Sequence, residues 1–212
     1  GWMTTAGLLM TWWVVAAVAT DFIERVRPRG AGTLWQHVRQ LPRAGVGMML
    51  AHLGVAAFIL GVTMVRGYEV ERDVKMNAGD STTAHGYTFT FKGTREIAGP
   101  NYDAIQGLVE VTKNGHHVAA MLPEKRIYRV QSNPMTEAAI DTGLTRDLYV
   151  SLGEPVDNGR AWIVRVYVKP FVDWIWGGCL LMAFGGLLAV TDRRYRAKAP
   201  STVPAAGSTA NA

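Results

Sequence analysis

Three long apolar runs constrain this 212-residue chain more than any other feature. They occupy residues 2 to 20, 44 to 65 and 171 to 191. Each is long enough to cross the ~30 Å hydrocarbon core of a bilayer at ~1.5 Å per helical residue. The average composition, 49% hydrophobic and 18% charged, hides this concentration. The middle run carries one ionisable side chain, His52, and no formal charge. A helix without a polar face is buried in lipid or in a large bundle, and the remainder of the chain is too small to hide three of them. Three transmembrane helices are expected. The first run does not read as a signal peptide, because it opens at Gly1 without a basic leader and ends in charge instead of a small-residue cleavage site. The expectation is a fragment whose upstream part is missing.

Charge supplies an orientation. Arg25, Arg27, Arg29, Arg39 and Arg43 face Asp21 and Glu24 in one short segment, and Arg193, Arg194, Arg196 and Lys198 face Asp192 in another. Residues 66 to 170 hold equal numbers of basic and acidic residues, so the +5 excess sits beside the spans, as the positive-inside rule expects of cytoplasmic loops. The expected plan is a transmembrane helix over 1–20, a cytoplasmic basic amphipathic segment over 21–43 and a second span over 44–65. A periplasmic domain over 66–170, a third span over 171–191 and a disordered cytoplasmic tail over 192–212 follow. The pI near 9.5 then reflects topology, and no basic stacking platform points to nucleic acid.

Between the second and third spans the apolar period changes from helical to two. Tyr87, Phe89 and Phe91 alternate with Thr88, Thr90 and Lys92, and Trp162, Val164, Val166 and Val168 alternate with Ile163, Arg165, Tyr167 and Lys169. Asn114-Gly115 marks a hairpin, since both residues tolerate the positive φ of a type I′ turn. A second hairpin joins residues 148–152 to 161–168 across Asn158-Gly159. About seven short strands are expected in an all-β antiparallel sheet or small barrel, with residues 134–146 irregular or partly helical. In the spans, Gly47 and Ala51, Ala57 and Gly61, and Cys179 and Ala183 have the four-residue spacing that lets helix backbones approach. Trp12-Trp13 is expected to pack within its helix, and Trp174-Ile175-Trp176 to lie in an interfacial aromatic belt.

Few residues carry recognisable chemistry. Cys179 is the one cysteine, so no disulfide framework or cysteine metal site is available. His85, His116 and His117 fall in the external domain, the last two at a hairpin end, and His37 lies among Arg and Gln. His52 lies ~12 Å along its span, where a titratable ring is costly without a partner. Three roles are open to it: a hydrogen bond to a neighbouring helix, ion or proton transport, or ligation of a metal or haem. Met48, Met49, Val55 and Ala56 surround it as a soft apolar wall.

Several runs carry a family resemblance. They include Leu50-Ala51-His52-Leu53-Gly54-Val55, Gly67-Tyr68-Glu69-Val70-Glu71-Arg72-Asp73, Gly99-Pro100-Asn101-Tyr102 and Pro123-Glu124-Lys125-Arg126. Further along stand Met135-Thr136-Glu137-Ala138-Ala139-Ile140-Asp141, Asp147-Leu148-Tyr149-Val150-Ser151-Leu152 and Val168-Lys169-Pro170-Phe171-Val172-Asp173-Trp174. In order and spacing these resemble the C-terminal third of the CcmF family. The resemblance implies a bacterial inner-membrane component of cytochrome c maturation. Such a component belongs to a haem lyase that takes haem from the CcmE chaperone and, with a CcmH-type subunit, joins it to the CxxCH cysteines of apocytochrome c. It also implies haem b held in the membrane between two histidines on different helices. His52 matches one axial iron ligand, and its partner histidine belongs to the upstream part of the family. The family's tryptophan-rich signature is not in this chain, so no catalytic residue is assigned and the chain alone is not expected to be catalytic. The alternative is a non-catalytic, membrane-anchored docking module for apocytochrome or a CcmH-type partner.

Overall fold

The computed structural model describes residues 1–27, 33–130 and 133–192. The three apolar runs form helices α1 (Trp2–Val26), α3 (Arg43–Tyr68) and α4 (Val172–Val190), each long and apolar enough to span a membrane. Between the first two lies α2 (Leu34–Arg39), whose start is closed by Thr33 N–H donating to Gln36 Oε1 at 2.9 Å. Residues 28–32 and everything after Asp192, including the tail expected to be disordered, lie outside the described residues.

Helix α3 is the centre of the helical layer. On one side Gly47, Gly54 and Gly61 meet α4 through Gly185, Gly178 and Ile175. A Cβ on Gly47 would stand 2.5 Å from the Gly185 carbonyl oxygen, and one on Gly54 would stand 2.7 Å from that of Gly178. The two helices are therefore in backbone contact, the kind of packing membranes favour in the absence of a hydrophobic drive between helices. Gly47, Ala51 and Gly61 lie on this seam as their spacing suggests. On α4 it is Gly178 and Gly185, seven residues apart, that face α3, whereas Ala183 is exposed. Helix α1 packs on the opposite side of α3, Gly7 against Thr63 and Gly67 against Thr4. Trp12 and Trp13 do not pack within the helical layer: they are 69% and 78% exposed, because α1 presents only a narrow stripe, including buried Thr11, to α3.

The domain between α3 and α4 is a sandwich of two antiparallel sheets with ten strands among the described residues instead of about seven. One sheet has the order β1 (Val70–Asn77), β10 (Ala161–Pro170), β9 (Arg146–Val156), β8 (Ala139–Asp141). The other runs β2 (Ser81–Ala84), β3 (Tyr87–Ala98), β4 (Tyr102–Lys113), β6 (Glu124–Tyr128), β7 (Pro134–Glu137), with β5 (His116–Met121) also on β4. Phe89, Phe91, Val109 and Val111 of the second sheet pack on Leu148, Val150, Val164 and Val166 of the first. Each fully buried aliphatic or aromatic chain of this kind contributes ~1.5–3 kcal/mol. Asn114 and Gly115 adopt φ of 50° and 78°, the tight turn expected between β4 and β5. The segment read as irregular or partly helical instead forms β7 and β8. One pairs with β6 and the other with β9, so the chain crosses from sheet to sheet there in strands too short for a period of their own.

The two layers are joined without a linker. Helix α3 runs into β1 and β10 runs into α4, and β1 pairs with β10 from Val70↔Val168 to Asn77↔Ala161. The packed helix pair thus continues as a hydrogen-bonded strand pair. At the second crossing Phe171 takes a left-handed conformation (φ 58°) and its N–H donates to the Thr145 carbonyl at 3.2 Å.

Candidate functional site

His52 lies on a face of α3 that neither α1 nor α4 covers. Spacings of three and four residues place Met48, His52, Val55, Ile59 and Val62 along this face. Met48, His52 and Val62 are exposed, and Val55 and Ile59 are half-buried. Met49 and Ala56, expected to wall His52, are buried inside the helical layer, so half of that wall points elsewhere. The His52 ring bonds to its own helix: Nδ1 donates to the Met48 main-chain carbonyl at 2.8 Å. A carbonyl only accepts, so Nδ1 is the donor, and the neutral tautomer compatible with this bond is the one whose lone pair is on Nε2. The bond orients the ring on its own helix and leaves Nε2 outside that contact, on an apolar helix face.

The remaining histidines do not join it. His37 Nδ1 bonds to the Thr33 carbonyl at 3.0 Å at the start of α2, and His85, His116 and His117 are exposed on the sandwich. Among the described residues no group of three His, Cys, Asp or Glu is placed to hold a metal ion.

The sandwich carries two polar arrays that its sequence did not announce. Across the second sheet, Arg95 donates to Gln106 Oε1 at 2.5 and 2.8 Å, Gln106 Nε2 donates to Glu124 at 2.7 Å, and Arg126 Nε donates to Glu124 at 2.8 Å. Partial burial alone would raise the Glu124 carboxyl, but the bonds from Arg126 and Gln106 outweigh it and hold the group below its ordinary range. On the outer face of the first sheet, Tyr149 and Tyr167 stack edge to face at 5.2 Å beside Lys169 and Arg165. They line a cleft of about 590 Å³ that also takes in Ser151 and Lys125. Arg165 grips both oxygens of Asp73, at 2.6 and 2.7 Å, which lowers that carboxyl. Desolvation, and donation of the hydroxyl to Glu71 at 2.7 Å, raise the Tyr167 phenol. These partners sit on different strands, so only the alternation that points them outward was visible in the sequence.

A membrane protein with a β-sandwich set between two adjacent apolar helices is the class that this geometry defines. Residues 67–170 match the family described as the CcmF C-terminal beta-sandwich. The cytochrome c-type biogenesis protein CcmF of Pseudomonas aeruginosa is 48% identical over 202 residues, which cover 95% of this chain and 30% of that protein. CcmF of Escherichia coli is 45% identical over 194 residues, 92% of this chain and 28% of that one. A solved structure titled Cytochrome c Heme Lyase CcmF superposes with a TM-score of 0.72 at 21% identity, covering 89% of this chain and 30% of that chain. The chain belongs to the CcmF family of cytochrome c-type biogenesis proteins, and it spans about 30% of the length of the curated relatives it matches.

Proposed function

We propose that this chain is the haem-binding part of a haem lyase assembly in cytochrome c maturation, with His52 as an axial ligand to the iron of a membrane-held haem b. The observation that carries the reading is the bond from the His52 ring to its own helix. Its Nδ1–H is committed to the Met48 carbonyl at 2.8 Å on an apolar face, so the neutral tautomer compatible with this bond has its lone pair on Nε2, the donor an iron-ligating imidazole needs. A porphyrin fits that donor chemistry, since Met48, Val55 and Ile59 offer soft apolar surface beside the ring. Bound there, haem would supply one-electron redox chemistry. The chain's own part is to fix the ring's protonation and direction and to keep charge away from it. The second axial histidine lies in a part of the family outside this chain.

The test is a reduced-minus-oxidised spectrum of the full-length assembly. His52→Ala, folded and inserted as the parent is, should lose the b-type absorption or shift it to a single-histidine form. An unchanged spectrum would refute the assignment.

The sheet cleft favours a second role in the same protein, docking of a CcmH-type subunit, haem-loaded CcmE or apocytochrome c on the sandwich. Capture of one of these partners by the intact protein, weakened by Tyr167→Ala with Arg165→Ala, supports it. Capture unaffected by those changes removes the cleft from consideration.

A further inference from the structure

We propose that the loop over residues 142–145 is a lipid-contacting element, which rests the Leu144 side chain in the bilayer interface at the end of α4 nearest the sandwich. Depth comes from the helix. Nineteen residues at ~1.5 Å each give α4 a length of ~28 Å against a hydrocarbon core of ~30 Å, so it has no turn to spare and its first turn lies at the boundary. Trp174 is in that turn, and its indole Nε1–H donates to the Leu144 carbonyl at 2.9 Å. One hydrogen bond therefore sets the loop at the level of the interface.

The loop is also built to present an apolar tip. Its main chain is closed on itself and on the helix start: Arg146 N–H donates to the Gly143 carbonyl at 3.2 Å, and Gly143 N–H donates to Asp147 Oδ1 at 3.1 Å. Phe171 N–H donates to the Thr145 carbonyl at 3.2 Å, and the Arg146 guanidinium reaches the Asp141 carbonyl at 3.0 Å. With these groups engaged, Leu144 projects 77% exposed. Phe171 and Trp174 stack beside it with ring centroids 5.6 Å apart, and Trp176 lies exposed two residues on. Tryptophan rings and an outward leucine at this depth match the chemistry of the headgroup boundary, apolar on one side and hydrogen-bonding on the other. The occupant is lipid, because lipid is the solvent around the first turn of a helix that has no length to leave it.

The inference rests on α4 spanning the membrane, and the experiment separates the two. In the full-length protein in lipid nanodiscs, with other cysteines including Cys179 replaced by serine, a nitroxide is attached at Leu144→Cys, Leu180→Cys or Asn114→Cys. Collision with molecular oxygen and with a water-soluble nickel chelate is then measured by power saturation. Expected are oxygen above nickel at position 144, the same more strongly at 180, and the reverse at 114, the hairpin tip. Nickel above oxygen at 144 overturns the proposal by placing the loop in water. Low values for both overturn it by placing the loop under protein. Failure at 180 instead removes the span itself. A benzophenone side chain at 144 gives a chemical reading of the same question: photoadducts carry lipid mass if the proposal holds and polypeptide alone if it does not.

Discussion

At the scale of single residues, burial and hydrogen bonding decide what two side chains do. Asp147 is buried at the start of β9, and desolvation raises its carboxyl despite the Gly143 N–H that it accepts; the nearby charge of Asp173 adds to the rise. A folded-state pKa above the unfolded one means that protonation favours the fold. That contribution is fully present below the unfolded value, ~3.9, and is lost as pH rises through the folded value. Asp147→Asn should therefore raise the unfolding temperature most at pH 7, with the gain shrinking as the pH is lowered towards 4. Thermal unfolding of both proteins across that range checks it, and a gain that grows on acidification would contradict the desolvation account. For His52 the relevant acceptor is main chain, so Met48→Leu should leave any His52-dependent spectrum in place while His52→Ala removes it. How much of this was legible differs between the two residues. His52 stood out as a lone titratable group in an apolar run, but that its hydrogen bond closes on its own helix depends on a rotamer that no sequence pattern records. Asp147 gave no signal at all, because its burial arises where β9 meets a loop and the start of α4.

Helix α4 carries two Gly-Gly pairs, and within each pair the neighbours differ in what they face. A Cβ at Gly178 or Gly185 would stand 2.6 or 2.5 Å from backbone nitrogens of α3, whereas at Gly177 and Gly186 it would meet nothing within 4 Å. Gly178→Ala and Gly185→Ala should each destabilise the helical layer by ~1–3 kcal/mol through overpacking. Gly177→Ala and Gly186→Ala should be neutral or stabilising by up to ~1 kcal/mol, since alanine is the better helix former. Unfolding of the four variants in mild detergent tests the contrast, and equal effects across all four would show that the seam is misplaced. Small residues at helical spacing made a close helix contact legible, and the apolar runs marked the helices, α3 and α4 ending close to their runs and α1 continuing past its run to Val26. The face of α4 was not, because each Gly-Gly pair offers two faces and only the partner helix selects one. The strands follow the same logic: β3, β4, β9 and β10 are long enough to show alternation, whereas β7 and β8 exist because β6 and β9 offer them edges.

For the whole molecule, sidedness governs function, since the proposed haem attachment requires the sandwich to face the periplasm. The excess of arginine in residues 21–43 and after Thr191 argues for that arrangement. Alkaline phosphatase, which needs an oxidising compartment for its disulfides, should be active when fused after Gly115 and inactive when fused after Arg196. The opposite pattern would invert the reading. Charge asymmetry, three apolar helices and an inserted β-domain were all legible in the sequence. The junction between the layers was not, because the β1–β10 pairing joins residues that are about ninety positions apart in the chain. That junction has a mechanical consequence. A slide of α4 along α3 by one helical turn, ~5.4 Å, exceeds the ~3.4 Å repeat of a strand, so it would force the eight residue pairs of β1 and β10 out of step. The two helices are thus held in register by the strand pair that continues them. A displacement of either helix along its axis would therefore carry the other, and the sandwich, with it.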